Sequence, residues 1–469
     1  MYNEENKMGY ASIPKLMLSM GIPVILSMIL QACYNIVDSI FVGRMPDMNG
    51  IVNTGEAALN ALTLAYPIQI LIIAFGIGTG VGVNALLATY LGEKKSEEAA
   101  KAAGNGVFLG ILIYCAFLIF GFFGIDAYLQ TQAADPVVLS MGSEYLKICC
   151  IFSFGSILFG IYEKLLQSTG KTMFSTIAQV VGALVNIVLD PILIYGLLGA
   201  PQMGISGAAV ATVIGQVASM LTAAILHYGR NKEVRSGLRY LRPDGKIIRG
   251  IYVIGLPAII MQALMAFMTY GINIIFGAVS ASAVTAYGIF YKIQQFLFFA
   301  GFGIRDVMTP LIAYNYGAGK QKRVKEGIRC GIWYTEIIMA AGIVVLELFA
   351  GPIVSMFGLT DETAALCAFA VRVIAPGFVF AGGCIAMQGA FQALGRGMSS
   401  LVVSLLRLAV IVLPLAWVFA QTQFALQTIW LAFPIAELGA CIVSVILLHR
   451  AQRAFRQINH TAEVVSLSD

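Results

Sequence analysis

Long apolar runs follow one another along almost the whole chain, separated by short polar stretches. Most runs are at least as long as the ~20 residues that an α-helix needs to cross a bilayer. They predict twelve transmembrane helices, at residues 15–43, 57–91, 102–124, 137–165, 172–198, 204–227, 250–276, 283–316, 325–349, 364–394, 398–420 and 426–449. The pattern therefore predicts an all-α polytopic membrane protein, in which the longest helices are tilted.

The loops between these predicted helices alternate in charge. Loops on one side contain almost no Lys or Arg, with Arg44 as the exception. Loops on the other side are basic: residues 227–250 include seven Lys and Arg residues, and residues 319–329 include five. The positive-inside rule then predicts that both termini are cytoplasmic. Because one missed helix would destroy the alternation, the charges also support the number of spans.

The basic stretch separates two halves that resemble each other. "ALNALTLAYPIQILIIAFGIGTG" (58–80) aligns with "AVTAYGIFYKIQQFLFFAGFGIR" (283–305). Each half has six predicted helices, so both halves have the same orientation and the repeat is parallel. We predict an N-terminal lobe at 1–227, a cytoplasmic linker at 228–249, a C-terminal lobe at 250–450 and a cytoplasmic tail at 451–469. Two such six-helix lobes around a central cleft suit transport by alternating access.

Composition and motifs narrow the function further. Only 11% of the 469 residues are charged, against about a quarter in soluble domains. The eight cysteines lack the spacing of a metal or redox site, and no nucleotide-binding or hydrolase motif is present. We therefore expect no catalytic residues, no cofactor and no nucleic-acid partner. Transport of a substrate against its own concentration gradient would therefore have to be driven by an ion gradient.

A charged residue inside a span costs about 2.5–3.5 kcal/mol, so each one needs a reason. Counted from the outer ends of their helices, Asp38 lies about 8 Å deep, and Asp190 and Thr212 lie about 12 Å deep. Asn186 is one helical turn deeper than Asp190. These oxygen atoms are of the type that binds Na⁺. The alternative is that the two carboxylates carry a proton between them. We predict one cation-binding site at Asp38, Asn186, Asp190 and Thr212, for H⁺ or Na⁺.

The second half of the chain lacks this chemistry. At the repeat-equivalent positions, Asp38 falls on Ile272, Asn186 on Ile411 and Asp190 on Leu415. Acids that only support the fold would be expected in both halves, so the repeat favours a cation site in one lobe. The alternative is that the two acids are interhelical hydrogen-bond partners.

Other polar or flexible side chains within the spans are candidates for a substrate cleft, with ordinary packing as the alternative. They are Gln31, Tyr34, Glu163, Gln167, Met261, Met265, Gln388 and Gln392. Arg305 and Asp306, in the eighth span, are candidates for a second site or a charge-paired gate. Because neighbours in sequence do not share a helix face, we expect each of the two to pair with other residues.

Several stretches resemble the multidrug and toxic compound extrusion (MATE) family, in its DinF-type branch. They include "GIPVILSMILQACYNIVDSIFVGR" (21–44), "LQSTGKTMFSTIAQVVGALVNIVLDPILI" (166–194) and "PLIAYNYGAGKQKRVKEGIR" (310–329). The resemblance implies a V-shaped pair of six-helix lobes of the MATE/MOP type, which exports organic, often cationic, compounds in exchange for H⁺ or Na⁺. The family's cation-binding residues match Asp38, Asn186, Asp190 and Thr212, and its first-span proline hinge matches Pro23. An acid found in the seventh span of the NorM-type branch is missing here.

Together these features predict a cation-coupled multidrug efflux antiporter, not an enzyme. It would act as a monomer in the cytoplasmic membrane, with the lipid bilayer and small amphipathic organic substrates as its partners. One alternative is a lipid-linked precursor flippase, for which only Lys164, Arg305 and Arg407 could supply a basic cleft. The other alternative is a non-transporting membrane scaffold or a membrane enzyme.

Overall fold

The computed structural model describes residues 6–46, 54–131, 135–235, 237–355 and 361–466, and nearly all of them are helical. The first half contains α1 (Lys7–Tyr10), α2 (Ile13–Gly43), α3 (Thr54–Gly92), α4 (Ser96–Phe123), α5 (Ile125–Gln130), α6 (Pro136–Ile151), α7 (Phe154–Ser168), α8 (Thr172–Tyr195) and α9 (Ile205–Arg230). The second half contains α10 (Gly245–Gly277), α11 (Ala281–Gly317), α12 (Gln321–Ser355), α13 (Asp361–Ile374), α14 (Phe378–Ala393), α15 (Gly397–Leu405), α16 (Val412–Ala420), α17 (Ala425–Thr428) and α18 (Ala432–Ser466).

Among the described residues, eleven helical segments are long and apolar enough to cross a membrane, and the bent pair α6–α7 makes a twelfth if it is one span. The predicted all-α, twelve-span fold class is confirmed. Helices α2–α9 are called the N-lobe below, and α10–α18 the C-lobe. The surface that holds α1 and the 228–249 linker is called the linker face.

Polar caps start several of these helices. Asp135 accepts a hydrogen bond from the Val137 amide at 2.8 Å and precedes Pro136 at the first position of α6. Asp244 caps α10 by accepting from the Lys246 amide at 3.0 Å. These side chains satisfy amide groups that have no partner inside the helix.

Two predicted spans are irregular. The fourth is bent by 46° between α6 and α7, and the eleventh contains a π turn at Leu406–Val410, between α15 and α16. Arg407 lies in that turn and forms a two-point ion pair with Glu437 of α18, at 2.6 and 2.9 Å. A π turn shifts the helix face by one residue, which is a common device at functional positions.

Helix α2 is divided between the two lobes. Its half near the linker face packs in one apolar cluster with α11, through contacts of residues such as Ile13 and Met20 with the group that includes Val307. Its far end, at Val42, belongs to a cluster with α3, α6 and α9 of the N-lobe. The first span therefore begins in the core of the C-lobe and ends in the core of the N-lobe.

Helix α10, the repeat equivalent of α2, does the reverse. Ile247 and Ile251, near the linker face, lie in the cluster built by α3, α4 and α7 of the N-lobe. Ile272 and Phe276, toward its other end, lie in the main cluster of the C-lobe. This reciprocal exchange of first helices joins the lobes at the linker face.

Glycines allow the lobes to approach closely there. A Cβ atom at Gly92 of α3 would overlap the Tyr314 carbonyl of α11, and a Cβ at Gly317 of α11 would overlap the Thr89 carbonyl of α3. Gly92 and Gly317 are repeat equivalents, so the contact is nearly symmetric. Small residues at such crossings let helix backbones pack directly against each other in membranes.

Residues 6–12, called the N-terminal strap, cross from one lobe to the other. The Asn6 side-chain amide donates to the Thr169 carbonyl of the N-lobe at 3.1 Å. The Arg323 guanidinium of α12 donates to the carbonyls of Met8 and Ala11, at 2.9 and 2.7 Å. The strap thus adds polar bonds to the apolar contact of the lobes.

Candidate functional site

Close packing of α8 against α9 brings together two of the predicted cation-site residues, Asn186 and Thr212. A Cβ atom at Gly215 of α9 would lie 3.0 Å from the Cβ of Asn186 on α8, and one at Gly182 would overlap the Ser219 side chain. Only glycine permits this approach. As a result, Asn186 and Thr212 face the same cavity from adjacent helices.

One turn further along α8, Asp190 is joined to Asn186. The Asn186 amide donates to Asp190 Oδ1 at 3.2 Å, as their four-residue spacing on one helix face allows. The Asp190 side chain is fully buried. Pro191 follows inside α8, and since proline has no amide hydrogen, the Ile187 carbonyl lacks its usual helical donor.

Asp38 approaches this pair from α2, which packs against α8. The Tyr195 hydroxyl of α8 donates to the Phe41 carbonyl of α2 at 2.7 Å, which fixes the two helices near their ends. The carboxylates of Asp38 and Asp190 are close enough to interact electrostatically. α8 ends at Tyr195 because Gly196 adopts a left-handed conformation, φ 73°. Asp38 and Asp190 therefore both lie about 8 Å from their helix ends, and the predicted 12 Å for Asp190 is corrected.

Three oxygens of this set are left without a donor. Within the described residues, Asp38 Oδ1, Asn186 Oδ1 and Asp190 Oδ2 are buried and make no hydrogen bond. A buried polar atom without a partner costs about 1–3 kcal/mol. Hard oxygen ligands suit Na⁺, and a proton shared by the carboxylates would relieve the same penalty. The donor set fits a bound cation.

The predicted cleft residues of the N-lobe surround a cavity beside this set. Gln31, Tyr34 and Glu163 line it, together with Asn186 and Thr212, around about 680 Å³ of open space. We call it the N-lobe cavity.

Gln167 lies behind the wall of the N-lobe cavity. Its amide donates to Glu163 Oε1 at 3.0 Å, and its carbonyl accepts from Lys164 at 2.9 Å. It therefore positions Glu163 and Lys164 rather than lining the cavity.

The predicted cleft residues of the second half surround another cavity, called the C-lobe cavity. Met261, Met265, Gln388 and Gln392 line it, around about 1030 Å³ of open space. Ile77 of α3 lines both cavities. The predicted single cleft is thus two adjoining chambers, one against each lobe.

Arg305 and Asp306 form a buried charge cluster with Lys164. The Lys164 ammonium lies 2.6 Å from Asp306 Oδ2, which joins α7 of the N-lobe to α11 of the C-lobe. Arg305 also pairs with Asp306, through Nη2 to Oδ1 at 2.8 Å. Asp306 thus has another partner, Lys164, as expected, but it also pairs with its neighbour Arg305, because the long Arg305 side chain folds back over its own helix. Since both Asp306 oxygens accept from cations, the carboxylate is not free for a coupling ion.

Comparison with known proteins identifies the family. A protein-family model described as MatE matches residues 23–192 and 257–418, one stretch on each side of the linker. This chain belongs to the MATE family. The family consists of transporters, so the protein is not an enzyme.

The curated relatives are multidrug exporters. The multidrug export protein MepA of Staphylococcus aureus (strain MSSA476) is 26% identical over 439 residues, which cover 92% of this chain and 93% of the relative. The protein of the same name from Staphylococcus haemolyticus (strain JCSC1435) is 26% identical over 443 residues, covering 94% of each chain. The alignment spans both lobes of this MATE transporter.

Solved structures agree in fold. An outward-facing multidrug resistance MATE family transporter of the MOP superfamily superposes with a TM-score of 0.90 at 23% identity, covering 97% of this chain and all of the other. A MATE in a straight conformation gives 0.90 at 23% identity, with the same coverage. A MATE in a bent conformation gives 0.87 at 24% identity, covering 95% of this chain and 97% of the other.

Pro23, the predicted hinge of this MATE transporter, lies inside α2, which runs as one continuous helix through it. The proline sits where α2 packs against the C-lobe, close to Val24, the last α2 residue of that apolar cluster. A bend at this point would therefore move the Asp38 half of α2 relative to the C-lobe.

Sequence reasoning missed one acid with a buried carboxylate oxygen, the partly exposed Glu336 of α12. Its Oε2 has no hydrogen-bond donor in the part of the chain that the structure describes. Its Oε1 lies against Gly382 and Gly383 of α14, 3.2 Å from where a Gly383 Cβ would be. The signal was present in the sequence, since "YTEIIMAAGIVV" puts a carboxylate inside an apolar run.

Proposed function

We propose that this MATE transporter exchanges H⁺ or Na⁺ for amphipathic, often cationic, organic compounds. The observation that carries the proposal is the set of three buried, unpaired oxygens on Asp38, Asn186 and Asp190. A bound proton or cation would remove the energetic cost of burying these oxygens without a donor. It borders the N-lobe cavity, where Thr212 adds a hydroxyl.

The basic loops support an orientation for this exchange. The linker face holds Lys171, Arg230 and Arg323, among many other basic residues, so by the positive-inside rule it is cytoplasmic. Both termini are then cytoplasmic, and the protein acts as a monomer in the cytoplasmic membrane. The ion enters from outside, because Asp38 and Asp190 lie near the helix ends farthest from the linker face.

Helix α2 is the element that connects the ion site to the rest of the molecule. Its outer half carries Asp38, and its inner half packs in the C-lobe. Ion binding changes the contact between α2 and α8, and bending at Pro23 passes that change to the lobe interface. A coupling free energy of about 1–3 kcal/mol between ion and substrate is typical of such linked sites.

The flippase alternative needs free cations for a pyrophosphate group. Arg407 is bound at two points by Glu437, and Lys164 is held by Asp306. Arg305 is then the one candidate of the three that keeps unused donors toward a cavity. A single guanidinium is too little positive charge for a pyrophosphate group, so we favour the drug antiporter.

The test is ethidium efflux by purified protein in proteoliposomes, under a pH gradient alone and a Na⁺ gradient alone. Wild type should export the dye under at least one gradient. Asp38→Asn should abolish gradient-driven efflux, because the amide neither takes up a proton nor offers a second anionic oxygen.

Asp126→Asn is the matched control, since Asp126 is an exposed acid on α5 that pairs with Lys147. It should transport at the wild-type rate. Full gradient-driven efflux by Asp38→Asn would refute the proposed coupling.

A further inference from the structure

We propose that the C-lobe cavity binds the carboxylate group of aromatic substrates, with the Arg305 guanidinium as its partner. The inference deepens the proposed function, because it assumes that the cavities hold the compounds that are exported. The walls of the two cavities carry opposite charges: the acid Glu163 lines the N-lobe cavity, and Arg305 lines the C-lobe cavity.

The charge cluster behind Arg305 leaves part of that guanidinium available to the C-lobe cavity. Asp306 is shared by two cations, Lys164 at 2.6 Å and Arg305 at 2.8 Å. A second acid, Glu163, lies on the Lys164 side of the cluster, because Gln167 bonds to both of these side chains. The side chains of Lys164 and Asp306 are 3% and 5% exposed, whereas Arg305 is 17% exposed and lines the cavity. An anionic group in the cavity would therefore meet a guanidinium whose partner Asp306 is shared with Lys164.

The guanidinium is held in place yet keeps unused donors. Arg305 Nε and Nη2 both donate to Asp306 Oδ1, at 3.0 and 2.8 Å. This pairing does not use the two N–H groups of Nη1. The guanidinium carbon also lies 4.7 Å from the centre of the Phe302 ring. A cation fixed on two sides binds a carboxylate at a smaller entropic cost.

The walls of the C-lobe cavity suit a flat ring system. Tyr291, Phe298 and Phe299 line it, next to the amide side chains of Gln294 and Gln388. About 1030 Å³ of open space, part of it continuous with solvent, lies between these walls. Aromatic walls with one cation and a few amides favour a planar aromatic acid over a purely aliphatic one.

The other charged pair of this cavity does not compete for the ligand. Arg407 and Glu437 bind each other at two points, 2.6 and 2.9 Å, and together are neutral. Gly389 of α14 lets Arg305 sit against the cavity wall, because a Cβ there would lie 2.9 Å from Arg305 Cγ. Arg305 is thus the anchor that the cavity offers to an anion.

The test compares rhodamine B, which has a free carboxylate, with its ethyl ester, which does not. Binding of each dye to the purified full-length protein in nanodiscs is measured by fluorescence anisotropy at equilibrium. Arg305→Gln should weaken rhodamine B binding at least about tenfold, the usual size of a charge-assisted hydrogen-bond pair. Binding of the ester should change less than about twofold.

Two further variants make the result specific. Lys292→Gln removes the same charge from an exposed position of α11 outside the cavity and should leave both dyes unaffected. Arg305→Lys keeps the charge without the planar fork, and should recover part of the rhodamine B affinity. Should Arg305→Gln fail to fold, as judged by gel filtration, the Arg305→Lys comparison between the two dyes decides.

Equal loss of both dyes in Arg305→Gln would make Arg305 a structural residue and overturn the proposal. No loss of rhodamine B affinity would overturn it as well. Because binding is measured without a gradient, the result does not depend on ion coupling. Full efflux by Asp38→Asn, together with the predicted dye selectivity, would refute the antiport proposal alone.

Discussion

Asp190 combines full burial with an incomplete set of hydrogen bonds. One of its oxygens accepts from Asn186 and the other has no donor among the described residues. The sequence singles out this acid, because a carboxylate in an apolar run is costly. Its predicted depth was too large, since α8 ends at Tyr195 and not at Leu198. The pairing of Lys164 with Asp306 was not predictable, since the partners are 142 residues apart and on different helices.

An acid outside the spans behaves differently. Hydrogen bonds from Lys147 and Ser143 hold the pKa of Asp126 below its ordinary value of 3.8. A depressed pKa means that the pair contributes stability above about pH 4 and loses it as the pH falls through the lower, folded-state pKa. We expect a small, constant difference in melting temperature between wild type and Asp126→Asn from pH 8 to pH 5. The difference should shrink below about pH 4.

That prediction is checked by thermal unfolding of both proteins across the pH range. A difference that grows as the pH falls would contradict the assigned sign. The contribution is small at every pH, because the pair is exposed to solvent.

At the level of elements, apolar runs predict where helices cross the membrane, and the spans agree with the structure to within several residues at most ends. The runs do not reveal which helices touch. The division of α2 and α10 between the lobes depends on side-chain shape at the linker face, which a hydrophobicity pattern does not contain. The π turn at Leu406–Val410 was also hidden, because it forms around the pairing of Arg407 with a distant acid.

The hydrogen bonds of the N-terminal strap to α12 are contacts that the apolar pattern does not reveal. Arg323→Ala removes the two hydrogen bonds to the carbonyls of Met8 and Ala11. Hydrogen–deuterium exchange of residues 7–17 should then become faster, because the segment keeps fewer hydrogen bonds to the C-lobe, those from Asn315 and Lys320. Arg329→Ala, at an exposed position of the same helix, should leave the exchange unchanged. Equal exchange in wild type and Arg323→Ala would show that the bonds from Arg323 are not needed to hold the strap.

The glycine contact between α3 and α11 gives another prediction. In Gly92→Ala the new methyl group would meet the Tyr314 carbonyl. The lobes would have to separate at the linker face, which lowers the melting temperature and slows efflux. Overpacking of this kind typically costs about 1–3 kcal/mol.

Gly288→Ala is the matched control, since open space surrounds the position where its Cβ would be. It should be neutral or slightly stabilising, as alanine favours the helix over glycine. Equal melting temperatures for the two variants would show that the Gly92 contact is not close enough to constrain the lobes.

At the scale of the whole molecule, the sequence repeat predicted two lobes of parallel orientation, and the family model matches once in each half. The helices are repeated, but the residues of the predicted cation site are not. Asp38, Asn186 and Asp190, each with an unpaired buried oxygen, lie in the N-lobe, and Ile272, Ile411 and Leu415 occupy the equivalent positions of the C-lobe. A transporter with one ion site needs that site to affect both lobes. The division of α2 between them supplies the physical connection.

The most direct test of this account is the release of ions when substrate binds. Purified protein in detergent is first saturated with ²²Na⁺ or equilibrated in weak buffer with a pH-sensitive dye, and then receives an exported compound such as ethidium. Wild type should release ²²Na⁺ or protons in proportion to the substrate bound, and Asp190→Asn should bind substrate without that release. Equal release from Asp190→Asn and wild type would contradict the central claim, because the ion would then be bound elsewhere.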